Sequence, residues 1–242
     1  MSEESRQVDN RLLSGSVLKL VAVITMLIDH TASFLNSYVP FLRTELFTLS
    51  LPMLSSRTIT PYFLMRCIGR TAFPLFCFLL VEGWKHTSNR FRYGLSLLIA
   101  ALISEFPFDV VHGQVPYNRQ NVFFTLFLGY IALCIYERYR DRFALRGLLL
   151  IALFVFTYFF AADYRISGVA FILLIYVAQK DLIVIAFIGC IILQMASFPA
   201  YILMAMYNGR RGFVKGPVLK YAFYLFYPVH LMVLWLIQLA LR

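Results

Sequence analysis

Long apolar runs broken by short polar stretches fill the chain from residue 17 almost to its end. A helix needs about 20 consecutive apolar residues to cross a bilayer. The runs predict about eight transmembrane helices, at 17–38, 61–84, 92–111, 120–137, 145–162, 166–179, 182–206 and 218–241. The sixth is short for a full crossing, and it forms a tight hairpin with the fifth around AADYRISG. No Gly/Ser linker, low-complexity tract or repeat divides the chain. The prediction is an all-α polytopic membrane helix bundle in one domain, residues 1–242, with a short cytoplasmic segment at 1–16. That segment mixes acids and bases, and no small-residue cleavage motif follows the first run, which favours a retained helix over a signal peptide.

The polar residues that interrupt the runs are few and patterned. Asp29 and His30 stand together inside VLKLVAVITMLIDHTASFL. A charged group within a spanning helix costs roughly 2.5–3.5 kcal/mol on insertion scales, so such residues face protein or a wet cavity. Arg66 and Arg70 open the second span and share a helix face at i, i+4. Glu105 and Asp109 close the third span, Asn121 opens the fourth, and Asp163 and Tyr164 close the fifth. Asn208 and Arg210 follow the seventh span, and Lys220 opens the eighth. Tyr227 and His230 lie deeper in that last span, beside Pro228. Polar residues thus come late in odd spans and early in even ones, which gathers them at one membrane depth. Glu82 and His86 are the exceptions, at the opposite end. A structural reading competes for each residue: buried ions need partners, and residues near helix ends snorkel to the interface.

Composition agrees with the pattern. The chain is 61% hydrophobic and only 14% charged, with mean hydropathy +0.75, more apolar surface than a soluble domain hides. The net charge of +10 reflects bases at helix ends and does not point to nucleic acid. The four cysteines, Cys67, Cys77, Cys134 and Cys190, lie in apolar runs without metal-like spacing, which argues against a disulfide framework or a metal site.

Loop charge orients the chain. With the N-terminus in the cytoplasm, inner segments carry Arg6, Arg11, Lys19, Lys85, Arg90, Arg92, Arg138, Arg140, Arg142, Arg146, Lys180 and Arg242. Outer segments carry Arg43, Arg57, Arg119, Arg165, Arg210, Arg211, Lys215 and Lys220. The bias favours N-in and C-in, but YNGRRGFVKGPVLK is a strongly basic outer segment that resists the rule.

No serine-hydrolase, zinc-protease, P-loop or dinucleotide motif stands in a suitable context. What remains is histidine with carboxylates, arginines and amides, a set suited to direct group transfer with a histidine base. The segments LKLVAVITMLIDHT, IGRTAFPLFCFLLVEGWKHT, LISEFPFD, QNVFFTL, ADYRISGV, YNGRRG and KYAFYLFYPVHL resemble the TraX family, in the family's order and over most of the chain. The resemblance implies a multi-pass protein of the bacterial inner (plasma) membrane that transfers an acetyl group from acetyl-CoA. It implies a peptide, pilin or small-molecule acceptor, with membrane lipid around it and no metal. It also points to Asp29, His30, Arg70, Asn121, Asp163, Tyr164 and His230 as family positions, and to Glu82, Glu105, Asp109, Asn208 and Arg210 as positions of a commoner branch of TraX-like sequences.

The expected mechanism makes His30 the general base, with Asp29 and Arg70 beside it as catalytic residues. Adjacent helical residues point about 100° apart, which favours Asp29 pairing with Arg70 over orienting His30. Arg70, with Asn121 or Tyr164, would polarise the thioester carbonyl. Arg66, Glu105, Asp109, Asn121, Asp163, Tyr164, Asn208, Arg210, Lys220, Tyr227 and His230 are the expected substrate-binding set. Acetyl-CoA is cytoplasmic while this pocket lies toward the outside, so its arm must thread between helices or the pocket must open inward. Lys85, Arg90, Arg92, Arg138, Arg140 and Arg142 are candidates for its phosphates, although topology alone also explains them. The rival function is a transporter with a midplane ionisable site. A third class is a non-catalytic assembly partner.

Overall fold

The structure, a computed structural model, describes residues 12–51, 54–179, 181–214 and 216–242. Arg6, Arg11, Lys180 and Lys215 lie outside the described residues. The described chain is an all-α bundle, as the sequence predicts, and long apolar helices make it a multi-pass membrane protein. Helix α1 spans Gly15–Leu35. A short hairpin of strands Phe47–Leu51 and Leu54–Ile59 follows, in a stretch to which the hydropathy pattern assigns no element. Helices α2 (Pro61–Gly69) and α3 (Ala72–His86) together form the second pass. Next come α4 (Arg90–His112), α5 (Val122–Arg138), α6 (Phe143–Phe160) and α7 (Arg165–Val177). Helix α8 (Leu182–Leu193), a 3-10 turn (Met195–Ser197), α9 (Phe198–Ala205) and α10 (Gly216–Ala240) complete the chain.

Local chemistry sets several of these starts. Thr60 caps α2 by accepting the Phe63 N–H at 3.2 Å, with Pro61 in the first turn. Asn89 caps α4 by accepting the Arg92 N–H at 2.8 Å. Gly113 ends α4 at φ 76°, a left-handed conformation that glycine adopts without strain. Helix α6 buries only Thr157, so its surface is left for lipid.

The seventh predicted span is not a crossing. Gln194, at φ 87° and ψ 149°, breaks the run 182–206 into two arms of 12 and 8 residues. At 1.5 Å per residue, neither arm reaches across a core of about 30 Å. The tip, Met195–Ser197, packs against α2. Tyr201 of the returning arm closes on Gly189 and Phe171, and Ser197 Oγ lies 3.1 Å from the Tyr201 hydroxyl. The segment after the returning arm then comes back to the start of α1. The Leu13 N–H donates to the Met206 carbonyl at 3.0 Å and the Asn208 N–H to the Leu13 carbonyl at 2.9 Å. The Gly15 and Ser16 N–H groups donate to Arg210 and Arg211 carbonyls at 2.8 and 2.9 Å. The run is therefore a re-entrant hairpin that enters and leaves at the N-terminal end of the bundle.

This corrects the predicted topology. Helix α10 runs parallel to α1, pairing Phe223 with Lys19, His230 with His30, Gln238 with Phe34 and Arg242 with Tyr38. The C-terminus is thus at the end opposite the N-terminus, so the two termini cannot share a side as the N-in, C-in expectation required. Hydropathy missed this because an apolar hairpin and an apolar crossing have the same composition. Arg210, Arg211 and Lys220 move to the N-terminal side, which removes the basic anomaly in the loop charges. A membrane-impermeant thiol reagent should label Arg211→Cys from the side that carries the N-terminus. A C-terminal reporter should be accessible only from the other side, and labelling of both from one face would refute the hairpin.

A histidine pair beside a doubly paired aspartate

Asp29 projects from α1 toward α2. Its Oδ2 accepts from Arg66 Nη1 at 2.7 Å, and Arg70 Nη2 approaches Oδ1 and Oδ2 at 3.0 and 3.2 Å. The i, i+4 spacing of the arginines places both on one carboxylate. Gly69 allows it, since a Cβ there would overlap the Asp29 carboxyl group. The Asp29 side chain is 13% exposed, so the pair is largely desolvated and worth more than a surface ion pair. One negative and two positive charges leave the cluster net positive. Asp163 and Tyr164 reach Arg70 electrostatically. Tyr164 stacks on Phe73, and its N–H donates to Thr125 Oγ1 at 3.3 Å.

His30, on the next helical position, turns away from Asp29 to meet α10. Its Nδ1 lies 2.7 Å from His230 Nε2. The rings are 5° from coplanar with centroids 5.0 Å apart, so the nitrogens meet edge to edge. His230 Nδ1 stands 2.8 Å from the Phe226 carbonyl, which only accepts. In the neutral ring Nδ1 therefore carries the proton and Nε2 is the acceptor. His30 Nδ1 must then donate to it, which leaves His30 Nε2 with the lone pair. Tyr227 flanks both rings edge-on at 5.9 and 5.5 Å. Phe123 packs on Tyr227 from behind at 5.3 Å.

Asn121 is fully buried as the N-cap of α5. Its Oδ1 accepts from the Phe123 N–H at 3.0 Å, and its Nδ2 donates to the Ala101 carbonyl and to Glu105 Oε2 at 2.9 and 2.5 Å. With its amide engaged on both ends, Asn121 holds helices together and has no donor left to polarise a carbonyl. Glu105 is its partner in that joint. Asp109 is buried one turn further along α4, and its Oδ1 has no hydrogen-bond partner among the described residues. His112, which the sequence reading did not single out, lies at the same end. Its ring sits edge-on to Phe34 at 4.9 Å and stacks on Tyr117 at 4.2 Å. The late-in-odd-spans pattern that marks His30 also marks His112.

Three expected members are elsewhere. Asn208, Arg210 and Lys220 sit at the N-terminal end of the bundle, because the re-entrant hairpin returns the chain there. The pattern of odd and even spans fails once a span does not cross. Glu82 and His86, the two exceptions to that pattern, are at this same end, where Glu82 pairs with Lys85 at 2.8 Å.

The TraX protein family model matches residues 14–238. The chain belongs to the TraX family. It is 29% identical to "Probable fimbrial assembly protein FimC, serogroup H1" of Dichelobacter nodosus over 265 aligned residues, covering 95% of this chain and 96% of the relative. No solved structure matches the chain.

The ion cluster should be the most sensitive feature of the distal half of this TraX protein. Removing one partner of a buried ion pair costs about 3–5 kcal/mol, and partial exposure puts Asp29→Ala at the lower end. Gly69→Ala should lower the unfolding temperature in detergent comparably, by pushing α2 off Asp29, while Gly147→Ala, with open space around it, should not. Equal stability of the two glycine variants would show that the close approach is not required.

Proposed function

We propose that the chain is a membrane-embedded acyltransferase. It moves an acetyl group from acetyl-CoA to an amine, such as the N-terminus of a pilin or another peptide, or to a hydroxyl. The observation that supports this reading is the His30–His230 pair, which leaves a lone pair on His30 Nε2, one helical position from an aspartate held by two arginines. Fimbrial assembly, the role printed for the relative from Dichelobacter nodosus, favours a pilin-related acceptor. The bacterial inner membrane, with the N-terminus cytoplasmic, suits the loop charges.

In the proposed reaction, His30 Nε2 takes a proton from the acceptor as its nitrogen or oxygen attacks the thioester carbonyl. Arg66 and Arg70, gathered on Asp29 of the same helix as His30, supply the positive charge that stabilises the developing oxyanion in this reading. The carbon–sulfur bond breaks, and the proton on His30 passes to the leaving CoA thiolate. His230 is a positioning residue that fixes the tautomer and the angle of His30, the role an acidic residue plays in a hydrolase triad. Asp29 keeps the arginines in place and does not touch His30.

A transporter remains the second reading, because re-entrant broken helices such as 182–205 recur in transporters. Incubation with labelled acetyl-CoA and membrane extract, read by mass spectrometry, separates the two. Acyl turnover is expected, and substrate flux into liposomes without turnover would favour transport.

His30→Ala should lower turnover by about 10²–10⁴, the range of general base catalysis, with normal folding. His230→Ala should lower kcat more than KM, and His230→Gln, whose amide oxygen still accepts from His30 Nδ1, should recover part of the loss. Full activity of His30→Ala would overturn the reading.

A further inference from the structure

A cleft of about 610 Å³ opens at the N-terminal end of the bundle, remote from the Asp29 cluster. Its mouth carries Lys19, Arg211 and Lys220, with Arg211 and Lys220 both close enough to act on the Lys19 charge. Among the described residues no carboxylate forms an ion pair with any of the three. Glu82 also lines the cleft, but its charge is met by Lys85. The walls are apolar, with Leu79, Leu97 and Phe223 among them, and the inner end is formed by Phe123 and Tyr224. Phe123 packs directly on Tyr227, which touches the His30–His230 pair. The cleft therefore joins a mouth whose cations have no carboxylate partner among the described residues to the back of the histidine site.

We infer that this cleft holds the acyl donor, with the donor's phosphates between Lys19, Arg211 and Lys220 and its flexible arm running inward past Phe223 and Tyr224 toward His30. The inference rests on the acyltransfer reading. Cations crowded without counter-ions are stabilised by a polyanion, and an apolar wall suits a long, weakly polar arm. The distance sets the length of that arm. Lys220 and His230 are ten positions apart on α10, about 15 Å at 1.5 Å per residue. A small acyl phosphate bound at the mouth does not reach the base. A phosphate-headed thioester with an extended arm, the chemistry of acyl-CoA, does. Phe123 and Tyr227 form the partition its tip must pass. The donor then enters from the N-terminal side and the acceptor from the other, which resolves the conflict between a cytoplasmic donor and a distal base. None of Lys85, Arg90, Arg92, Arg138, Arg140 and Arg142 lines the cleft. Arg90 instead covers the Trp84 ring at 4.2 Å.

The test is CoA binding to the full chain in phosphatidylcholine nanodiscs, paired with acetyl transfer from acetyl-CoA. Arg211→Gln and Lys220→Gln should each weaken CoA at least tenfold, Lys220→Arg should restore it, and added salt should weaken the wild type. Leu79→Trp, which fills the wall without touching charge, should also block CoA, whereas His30→Ala should bind CoA normally while its transfer falls by about 10²–10⁴. If the wild type transfers acetyl groups while the Arg211, Lys220 and Leu79 variants bind and react as it does, the subsite is wrong and the acyltransfer reading stands. If Arg90→Gln or Arg140→Gln weakens CoA instead, the phosphates lie elsewhere and the subsite is again wrong. If the wild type neither binds CoA nor transfers acetyl, both fall. Phosphatidylglycerol bound in a Lys220-dependent way, with no CoA binding, would make the cleft a lipid site and also overturn the inference.

Discussion

A carboxylate placed two-thirds of the way along a membrane helix has to be met by opposite charge, and the meeting of Asp29 with Arg66 and Arg70 orders the distal half of this bundle. Hydrocarbon offers no water to share the cost. The contact holds α1 and α2 at the closest approach a glycine allows, at Gly69. Once Asp29 faces α2, the helical period turns His30 toward α10. The depth of His30 then selects His230 as its neighbour. The ion pair and the histidine pair are therefore two faces of one constraint, expressed on adjacent residues of α1.

The bundle has two polar ends with opposite characters. The distal end holds partnered polar groups: Asp29 with its two arginines, Glu105 with Asn121, and histidines packed among aromatic rings. The N-terminal end holds excess positive charge around an open cleft. The re-entrant hairpin links them. Its tip supports α2 beneath the arginines, and its exit brings Arg210 and Arg211 against the first turn of α1. Ser16 completes that joint, donating to the Arg211 carbonyl at 2.7 Å and accepting from the Val214 N–H at 2.8 Å. Backbone pairing between segments so distant in sequence gives the mouth of the cleft a defined shape.

Much of this was legible in the sequence. Apolar runs located the helices because hydropathy is a local property, and the alternation of late and early polar residues found the Asp29, Arg66, Arg70 and Asp163 neighbourhood because successive crossings reverse direction. The same reasoning failed for Asn208, Arg210 and Lys220. It assumes that every apolar run crosses, and run 182–206 does not. Gln194 is the local mark of the break, yet one polar residue in an apolar run looks the same in a crossing helix. Asn121 was misjudged for another reason. A buried amide reads alike as a ligand or a cap until its partners, the Phe123 N–H and the Ala101 carbonyl, are known.

By itself the sequence determined the class of the protein, its family, the depth of Asp29, Arg66 and Arg70 and the separation of Asp29 from His30, since composition, periodicity and motif order are all properties of the chain taken locally. Tertiary structure alone decided three things. It paired His30 with His230 across 200 positions, it turned the seventh run back on itself, and it assembled Lys19, Arg211 and Lys220 at one mouth. Each depends on which helices become neighbours, and that is settled by the summed packing and ion pairing of the whole bundle, which no single segment encodes.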